Sequence, residues 1–350
     1  MKLLASLQYR ARQWREDRRF HAALTHLAGP AHFELADDEV CGFVLVHDGA
    51  YHLPYLFEWH RARGVDKWIV IDNASNDATR EIVAAQPNTI LARCDLPYQQ
   101  YERRLRYLSL KRFARGGWRL ILDADELFDY PQSDRLSLSD VVRRANAQGH
   151  SAVVAQMLDM FPKGPLAELG DMDFRAAAGR STHYDLQNID RYDYAGPKPD
   201  IEYWLSHNSV SDPGVQILFG GVRRTVFGET CCLSKHPLVR DVPGARLGWH
   251  PHLSPGLRVA DYSAVLRHYK FTGDFIGRER EVVERLGATN DGPRLRVARY
   301  LQEDRLALCQ PSSRRLDSVD DLYANGFLYA SEPARAFFGL APGAVLDGAA

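Results

Sequence analysis

The stretch Leu-Ile-Leu-Asp-Ala-Asp-Glu at residues 120–126 decides the fold. Residues 118–122 are almost all apolar, which is typical of a short strand buried on both faces of a sheet. Asp123 and Asp125 follow directly, and residues two apart in an extended chain project to the same side. The stretch therefore predicts a buried strand that ends in two carboxylates pointing the same way.

Strand-like and helix-like patterns alternate up to this stretch. Apolar runs predict strands at residues 40–46, 68–71, 89–92 and 118–122, with helical patterns at 53–60, 79–85 and 103–114 between them. Such alternation predicts an α/β fold, a doubly wound parallel sheet covered by helices. Ligands of such sheets bind at the carboxyl ends of the strands. Three polar clusters stand at the predicted ends: His47-Asp48, Asp72-Asn73 and Asp123-Ala124-Asp125.

The whole chain divides into three predicted regions. Residues 1–36 form an N-terminal helical arm, in which apolar residues recur among arginines before Gly29-Pro30. Residues 37–280 form the main domain, and residues 281–350 a C-terminal helical extension. Beyond residue 130, the main domain contains four predicted segments: a strand at 151–157, a loop-rich aromatic region at 159–213, and strand-like patterns at 215–219 and 222–227.

Bulk properties exclude several classes of protein. The formal net charge of −1 gives no overall field that favours nucleic acid. The five cysteines include no C-x-x-C pair, so reduced thiols in a cytoplasmic protein are the simplest interpretation. No apolar stretch approaches the roughly 20 residues that span a bilayer. The basic residues 1–28 leave two interpretations, a packing arm or a helix that binds a partner or the inner face of the membrane.

Asp123 and Asp125 supply hard oxygen ligands, which suit Mg²⁺ or Mn²⁺. Such an ion neutralises a diphosphate leaving group, which is the electrostatic task in sugar transfer from a nucleotide. Asp72 and Asn73 offer a carboxylate and an amide that can recognise the imide edge of uracil and a ribose hydroxyl. The alternative interpretation of both clusters is structural: polar turns that follow buried strands.

Three motifs in order carry a resemblance to a known family. Residues 44–60 resemble the opening of family 2-like glycosyltransferases of the GT-A fold, in which Lys-Asn-Glu is followed by Glu-Trp and a His. Residues 68–79 resemble their Asp-Asn-x-Ser-x-Asp-x-Thr stretch, and residues 120–128 their Leu-Asp-x-Asp-Glu-Phe. The nearest pattern is that of bacterial family 92-type members. The resemblance covers residues 40–130, with weaker echoes at 220–275.

This resemblance implies a GT-A-type sheet, mostly parallel with flanking helices, and a loop-rich acceptor region within the catalytic domain. It implies a hexosyltransferase-type glycosyltransferase that uses a UDP-linked sugar and Mn²⁺ or Mg²⁺, with inversion. The acceptor would be a glycan, a lipid-linked carbohydrate or another hydroxyl compound. Asp72 would contact the base, Asp123 the ribose or metal, and Asp125 the metal. The chain departs from the family pattern at His47-Asp48-Gly49, so donor contacts by His47 and Asp48 are a separate expectation.

The later part of the chain offers further candidates. GT-A enzymes often complete the metal site with one late histidine, and the candidates are His250, His252 and His268, with the first two preferred. Lys270 is available to the diphosphate. Arg223 and Lys235 are candidates for phosphate binding, beside Gly220-Gly221, which alternatively forms a hairpin turn between strands.

An inverting transferase also needs a carboxylate base. Asp159 follows a predicted strand and is the first candidate, in competition with Asp193, Asp200 and Glu202. Two other functions remain as alternatives. A metal-dependent nucleotidyltransferase would normally show a Gly-rich phosphate loop, but residues 47–53 contain only Gly49. The second alternative is a non-catalytic nucleotide-sugar-binding protein. A haloacid-dehalogenase-type phosphatase is disfavoured, because Glu126-Leu127 follows the second Asp.

Overall fold

The computed structural model describes residues 2–199, 201–286, 291–303 and 305–342. The helices are α1 Lys2–Ala23, α2 Leu53–Arg61, α3 Thr79–Ala84, α4 Tyr98–Phe113, α5 Leu138–Ala147, α6 Phe174–Arg180, α7 Glu202–Leu205, α8 Val222–Phe227, α9 Phe275–Leu286, α10 Asp291–Gln302, α11 Asp320–Ala324 and α12 Glu332–Phe338, and a 3₁₀ helix spans Leu166–Leu169. The strands are β1 Thr25–Ala28, β2 Phe33–Glu34, β3 Val40–Val46, β4 Lys67–Asp72, β5 Thr89–Arg93, β6 Ala114–Arg115, β7 Trp118–Leu122, β8 Glu126–Asp129, β9 Ala152–Asp159, β10 His183–Tyr184, β11 Ile189–Asp193, β12 Ser209–Val210, β13 Gln216–Gly220, β14 Ser234–Arg240, β15 Arg258–His268 and β16 Arg314–Arg315.

One large sheet organises the chain. Among the described residues it has ten strands in the order β1-β5-β4-β3-β7-β14-β9-β15-β12, with β8 paired to β15. The strands β5, β4, β3 and β7 are parallel neighbours, and β9, β15 and β12 are parallel to one another. The strand β14 is antiparallel to both of its neighbours, β7 and β9. The predicted α/β fold with a mostly parallel sheet and flanking helices is confirmed.

Helices cover both faces of this sheet because its strands are apolar on both sides. In β3, Val44 packs into a core with Leu56 of α2, whereas the neighbouring Phe43 packs into a second core with Leu105 of α4. Successive side chains of a strand point to opposite faces, so a continuous apolar run requires cover on each. The helices α2 and α4 provide that cover, and they leave the carboxyl ends of the strands for polar residues.

Two segments differ from the sequence prediction. Residues 222–227 form helix α8 and not a strand, because β13 ends at Gly220, and Gly220 and Gly221 adopt φ angles of 104° and 75° that turn the chain into the helix. These glycines therefore join a strand to a helix and do not form a hairpin turn. Residues 25–28 form strand β1, which pairs with β5 at the edge of the sheet, so the N-terminal region is not entirely helical.

The C-terminal and loop-rich regions consist of short elements. Helix α9 begins at Phe275 and crosses the expected boundary at residue 281, and α10 follows it. Between β9 and β13 the chain forms only short helices and strands, among them β11, which pairs with β13. Of these strands, β10 and β11 pair outside the main sheet, whereas β12 extends the edge of the main sheet next to β15.

Helix α1 packs against α4. Arg104 Nε donates to Asp17 Oδ1 at 2.8 Å, and the Tyr101 hydroxyl donates to Glu16. Arg104 and Arg106 are buried, although basic residues that recur along a helix are more typical of a solvated face. In the described part of the chain, no helix combines the length and the apolarity that crossing a bilayer requires.

Candidate active site

The three predicted polar clusters lie at one edge of the sheet. His47-Asp48, Asp72 and Asp123 stand at the carboxyl ends of β3, β4 and β7, which are neighbours in the order β4-β3-β7. The backbone N–H of Asn73 donates to the carbonyl oxygen of Val46 at 2.7 Å and so joins the first two clusters. The alternation of strands and helices thus placed these residues together, as the sequence predicted.

A lysine ion pair holds the first aspartate of the Asp-Ala-Asp turn. Strand β14 pairs with β7 so that Leu238 faces Leu120, and the same register continued brings Lys235 opposite Asp123. Lys235 Nζ lies 2.6 Å from Asp123 Oδ2 and 2.5 Å from Glu126 Oε1. Glu126 Oε2 in turn accepts from the backbone N–H of Asp123 at 3.0 Å. One ammonium therefore compensates two carboxylates and fixes the turn between β7 and β8.

The second aspartate faces a histidine. His268 is the last residue of β15, where the pairing places it opposite Asp159 on β9 and Glu126 on β8. His268 Nε2 lies 3.4 Å from Asp125 Oδ2, and His268 Nδ1 lies 2.5 Å from Asp159 Oδ1. Arg223 Nε donates to the other oxygen of Asp159 at 2.9 Å. The four side chains form a line of alternating charge that runs from the turn into the interior.

Burial and neighbouring charges determine which of these four side chains are protonated. Burial works against a charged His268, but Asp125 and Asp159 outweigh it and raise the pKa of His268 to about 9. Burial likewise opposes ionised carboxylates, yet Arg223 and His268 hold the pKa of Asp159 below its ordinary value. At neutral pH His268 is therefore an imidazolium, and both ring nitrogens carry protons. In this arrangement His268 pairs with Asp125 as a cation, and the expectation that it binds a metal ion stays a prediction.

Asp159 consequently has an environment unlike that of a proton acceptor. Its carboxylate is buried, is engaged on both oxygens and has a lowered pKa. A general base needs contact with the substrate and a pKa near the working pH, so this geometry argues against Asp159 as the base. Of its competitors, Asp193 is exposed at the end of β11, Glu202 begins α7, and Asp200 lies outside the described residues.

His250 and His252 lie near Lys235 in a half-buried loop. His252 Nδ1 lies 3.2 Å from the carbonyl oxygen of Ser234, so this nitrogen carries the proton and Nε2 keeps its lone pair. Burial, followed by the charge of Lys235, holds the pKa of His252 well below its ordinary value. His250 Nδ1 accepts from the backbone N–H of His252 at 3.1 Å, and burial lowers the pKa of His250 to about 4. His252 is thus neutral, in the tautomer that can bind a metal through Nε2.

The residue types at the Asp-Ala-Asp turn fit a divalent ion. Two carboxylates are donors that Mn²⁺ accepts, but within the described residues neither His250 nor His252 forms a group with them whose ligand atoms all lie within 4.8 Å of one another. Lys235 already contacts Asp123 Oδ2, and His268 faces Asp125 Oδ2, so an ion would share both carboxylates with cations of the protein. The prediction of a metal held by Asp123 and Asp125 stays a prediction.

A cavity lies beside the group of charged residues around Asp123 and Asp125. It has a volume of about 270 Å³ and is lined by His47, Asp48, Asn73, Tyr98 and Arg278, among others. Asn73 Nδ2 donates to the carbonyl oxygens of Cys94 and Leu96, which leaves its amide oxygen to accept a further hydrogen bond. Asp72, by contrast, is fully buried and accepts from the backbone N–H of Ser75 at 2.9 Å. Asp72 shapes the turn, and its predicted contact with the base is not tested by this geometry.

Helix α4 links the cavity to the cluster through residues that sequence reasoning missed. Arg106 Nη2 donates to the Tyr98 hydroxyl at 3.2 Å and lies 3.6 Å from Asp123 Oδ1. Glu102 accepts from Arg106 Nη1 at 2.6 Å. Tyr98, Glu102 and Arg106 recur every four residues on one helix face. That spacing is the signal by which the sequence could have identified them.

The other basic candidates are engaged elsewhere. Lys270 Nζ lies 2.9 Å from Glu279 Oε1, and Glu279 also pairs with Arg296 at 2.8 Å. Arg223 is buried and lies 3.6 Å from Glu229 in addition to its contact with Asp159. The structure therefore brings Lys235, but neither Lys270 nor Arg223, into direct contact with the Asp-Ala-Asp turn.

Comparison with known proteins gives limited results. No protein-family model matches the chain, and no curated protein matches it. Two similar solved structures, S. aureus TarS 1–349 and S. aureus TarS, are 17% and 15% identical over 35% and 36% of this chain, with TM-scores of 0.25 and 0.28. The matches span only 35% and 24% of those two chains.

A third similar structure is S. aureus TarS 1–349 in complex with UDP-GlcNAc. It is 13% identical, and the match covers 76% of this chain and 73% of that chain with a TM-score of 0.30. Similarity at this level carries no argument about this chain, so its fold is assigned from its own sheet topology.

Proposed function

We propose that this chain is a glycosyltransferase of the hexosyltransferase type, which transfers a sugar from a UDP-linked donor to a hydroxyl of a glycan or lipid-linked acceptor. The observation that carries the proposal is the arrangement of carboxylates and cations at Asp123, Lys235, Asp125 and His268, beside a cavity at the carboxyl ends of parallel strands. Reactions that release a diphosphate need such a concentration of fixed charge.

The cavity receives the nucleoside in this proposal. The amide oxygen of Asn73 accepts the imide N–H of uracil, and the ring of Tyr98 supplies an aromatic wall. His47 and Asp48 line the same cavity and contact the donor from the β3 side. Arg106 then connects Tyr98 to Asp123, so the diphosphate lies between the cavity and the Asp-Ala-Asp turn.

Lys235 stabilises the leaving group. An ammonium has three N–H donors, of which two are directed at Asp123 and Glu126 and one is left for a phosphate oxygen. His268 holds Asp125 in place through a charged contact, and Asp159 and Arg223 orient His268 from behind. Mn²⁺ or Mg²⁺ held by Asp123 and Asp125 would add positive charge at the diphosphate.

The proposal is tested first by binding. UDP is titrated calorimetrically into the chain with Mn²⁺ and, separately, with EDTA, for the wild type, Asp125→Asn and Asn73→Ala. We expect weaker UDP binding in both variants, and a metal dependence that Asp125→Asn removes. Asp134→Asn is the matched control, because Asp134 is an exposed carboxylate that follows β8 and lies outside the cluster. Unchanged UDP affinity in both variants would contradict the proposed site.

Turnover is tested with a panel of nucleotide sugars. We expect UDP release that Asp125→Asn lowers by about 100-fold, as the removal of one transition-state contact typically does. The anomeric configuration of the product, read by proton NMR, tests inversion. Release of pyrophosphate from UTP and a sugar phosphate would instead indicate a nucleotidyltransferase. Tight UDP binding without turnover of any donor would indicate a binding protein.

A further inference from the structure

Three potential ligand side chains converge outside the Asp-Ala-Asp turn. His47 and Asp48 follow β3, and Glu281 lies on α9, more than 230 residues later in the sequence. Within the described residues, they form the one group of three His, Cys, Asp or Glu side chains whose ligand atoms all lie within 4.8 Å of one another. They line the cavity of about 270 Å³ at the edge of the sheet.

The distances fit a shared ion better than direct hydrogen bonds. His47 Nε2 lies 3.3 Å from Asp48 Oδ2 and 3.3 Å from Glu281 Oε1. A charge-assisted N–H···O bond is shorter, about 2.7–2.9 Å. Two ligands at about 2.1 Å from a tetrahedral ion, however, are about 3.4 Å apart. The nitrogen therefore has the spacing of a fellow ligand to each of the two oxygens, and all three atoms lie within 4.8 Å of one another.

The ligands are oriented before any ion binds. His47 Nδ1 lies 2.8 Å from the carbonyl oxygen of Asn73, and because a carbonyl only accepts, Nδ1 carries a proton and Nε2 is the nitrogen that faces the two carboxylates. Such a backbone contact on the far nitrogen is the usual support for a metal-binding histidine. Asp48 Oδ1 accepts from the backbone N–H of Asn76 at 2.7 Å, so Oδ2 remains directed at His47.

We propose that His47, Asp48 and Glu281 bind a divalent cation of a first-row transition metal, such as Zn²⁺ or Mn²⁺, at a site separate from Asp123 and Asp125. One imidazole nitrogen and two carboxylate oxygens are the donor set of such ions. Three protein ligands leave at least one coordination position, which a water or an oxygen atom of a ligand in the cavity can take. The ion would also tether α9 to the loop after β3 and so close one side of the cavity.

Co²⁺ is the probe, because it replaces Zn²⁺ and its visible absorption reports coordination. Tag-free full-length chain is treated with EDTA, freed of chelator and titrated with Co²⁺ in the absence of nucleotide, so that the result does not depend on the proposed glycosyltransferase activity. We expect the visible absorption to rise to a plateau as Co²⁺ fills this site. The affinity for Co²⁺ should fall by about 100-fold in His47→Ala and in Glu281→Gln. Asp48→Asn keeps the contact to Asn76 and should weaken Co²⁺ binding by about tenfold.

Two controls locate the ion. His32→Ala removes a histidine that lies 3.4 Å from Glu34 and has no third ligand among the residues that the structure describes, and it should leave Co²⁺ binding unchanged. Asp125→Asn should also leave this absorption unchanged. Circular dichroism in EDTA checks that each variant is folded, and Asp48→Asn remains informative if either of the other two is not. The proposal is overturned if Co²⁺ does not bind, if His47→Ala and Asp48→Asn bind it like the wild type, or if Asp125→Asn alone abolishes binding.

Discussion

Two charged groups at the same edge of the sheet differ in what lies between their carboxylates. In the group around Asp123, Lys235 Nζ lies within 2.6 Å of a carboxylate oxygen, so a cation of the protein stands where a metal ion could bind. In the group around His47, the imidazole nitrogen lies 3.3 Å from one oxygen of Asp48 and 3.3 Å from one oxygen of Glu281, a spacing that two ligands of one ion also have. The first group has a lysine between its carboxylates, whereas the second has a histidine nitrogen in that position.

The largest expected effect is that of Lys235→Met on stability. The substitution leaves the buried Glu126 and its neighbour Asp123 without their ammonium, and breaking a buried pair from one side costs about 3–5 kcal/mol. Urea unfolding at neutral pH measures this loss. Lys67→Met is the matched control, since Lys67 pairs with Glu39 in a half-exposed position and should lose less than about 1 kcal/mol. Equal losses in the two variants would show that Lys235 does not hold the cluster.

The next effect concerns His268 and pH. Its pKa is raised from the ordinary 6.5 to about 9 in the folded chain, so its contribution to stability is fully present below pH 6.5 and is lost as the pH rises through 9. The size of the shift corresponds to about 3 kcal/mol. In unfolding titrations with EDTA, wild type should lose about this much more stability between pH 6.5 and 9 than His268→Gln does. His32→Gln should keep the wild-type pH dependence, and a His268→Gln curve parallel to that of wild type would contradict the assignment.

The smallest effect sharpens the comparison itself. If Lys235 occupies the place of a metal ion, its removal should make the carboxylates around Asp123 bind a metal ion more readily. In a His47→Ala background, which excludes the other group, we expect Lys235→Met to raise the Mn²⁺ affinity about tenfold, or about 1.4 kcal/mol. Titration followed by electron paramagnetic resonance measures it in chain that remains folded. A fall in affinity would mean that Lys235 supports the metal site and does not replace it.

Sequence reasoning predicted the parts of the site that depend on local patterns. The apolar run before Asp123 and the alternation of strands and helices placed three polar clusters at one edge, because the carboxyl ends of neighbouring parallel strands meet there. Asp159 was correctly placed at the end of a strand. Its pairing with Arg223 and His268 was not predicted, because each partner comes from a later element.

What the sequence did not reveal depends on register and on long-range packing. Lys235 meets Asp123 only because β14 inserts antiparallel between β7 and β9, which no local pattern indicates. Arg104 and Arg106 are buried through long-range contacts, the first with Asp17 of α1, 87 residues earlier, and the second with Asp123 after β7. Glu281 joins His47 through the position of α9, and one glutamate among three on that helix gives no signal of the contact.

The insertion of β14 has a consequence for the order in which the protein forms during synthesis. Asp123 and Glu126 are translated long before Lys235, which follows Asp123 by 112 residues. Until β14 has left the ribosome, the β3–β7 half of the sheet has a carboxylate pair with no lysine to neutralise it, and burying that pair is unfavourable. The nascent chain therefore has an electrostatic reason to leave this edge open, and the arrival of a single lysine permits the two halves of the sheet to close.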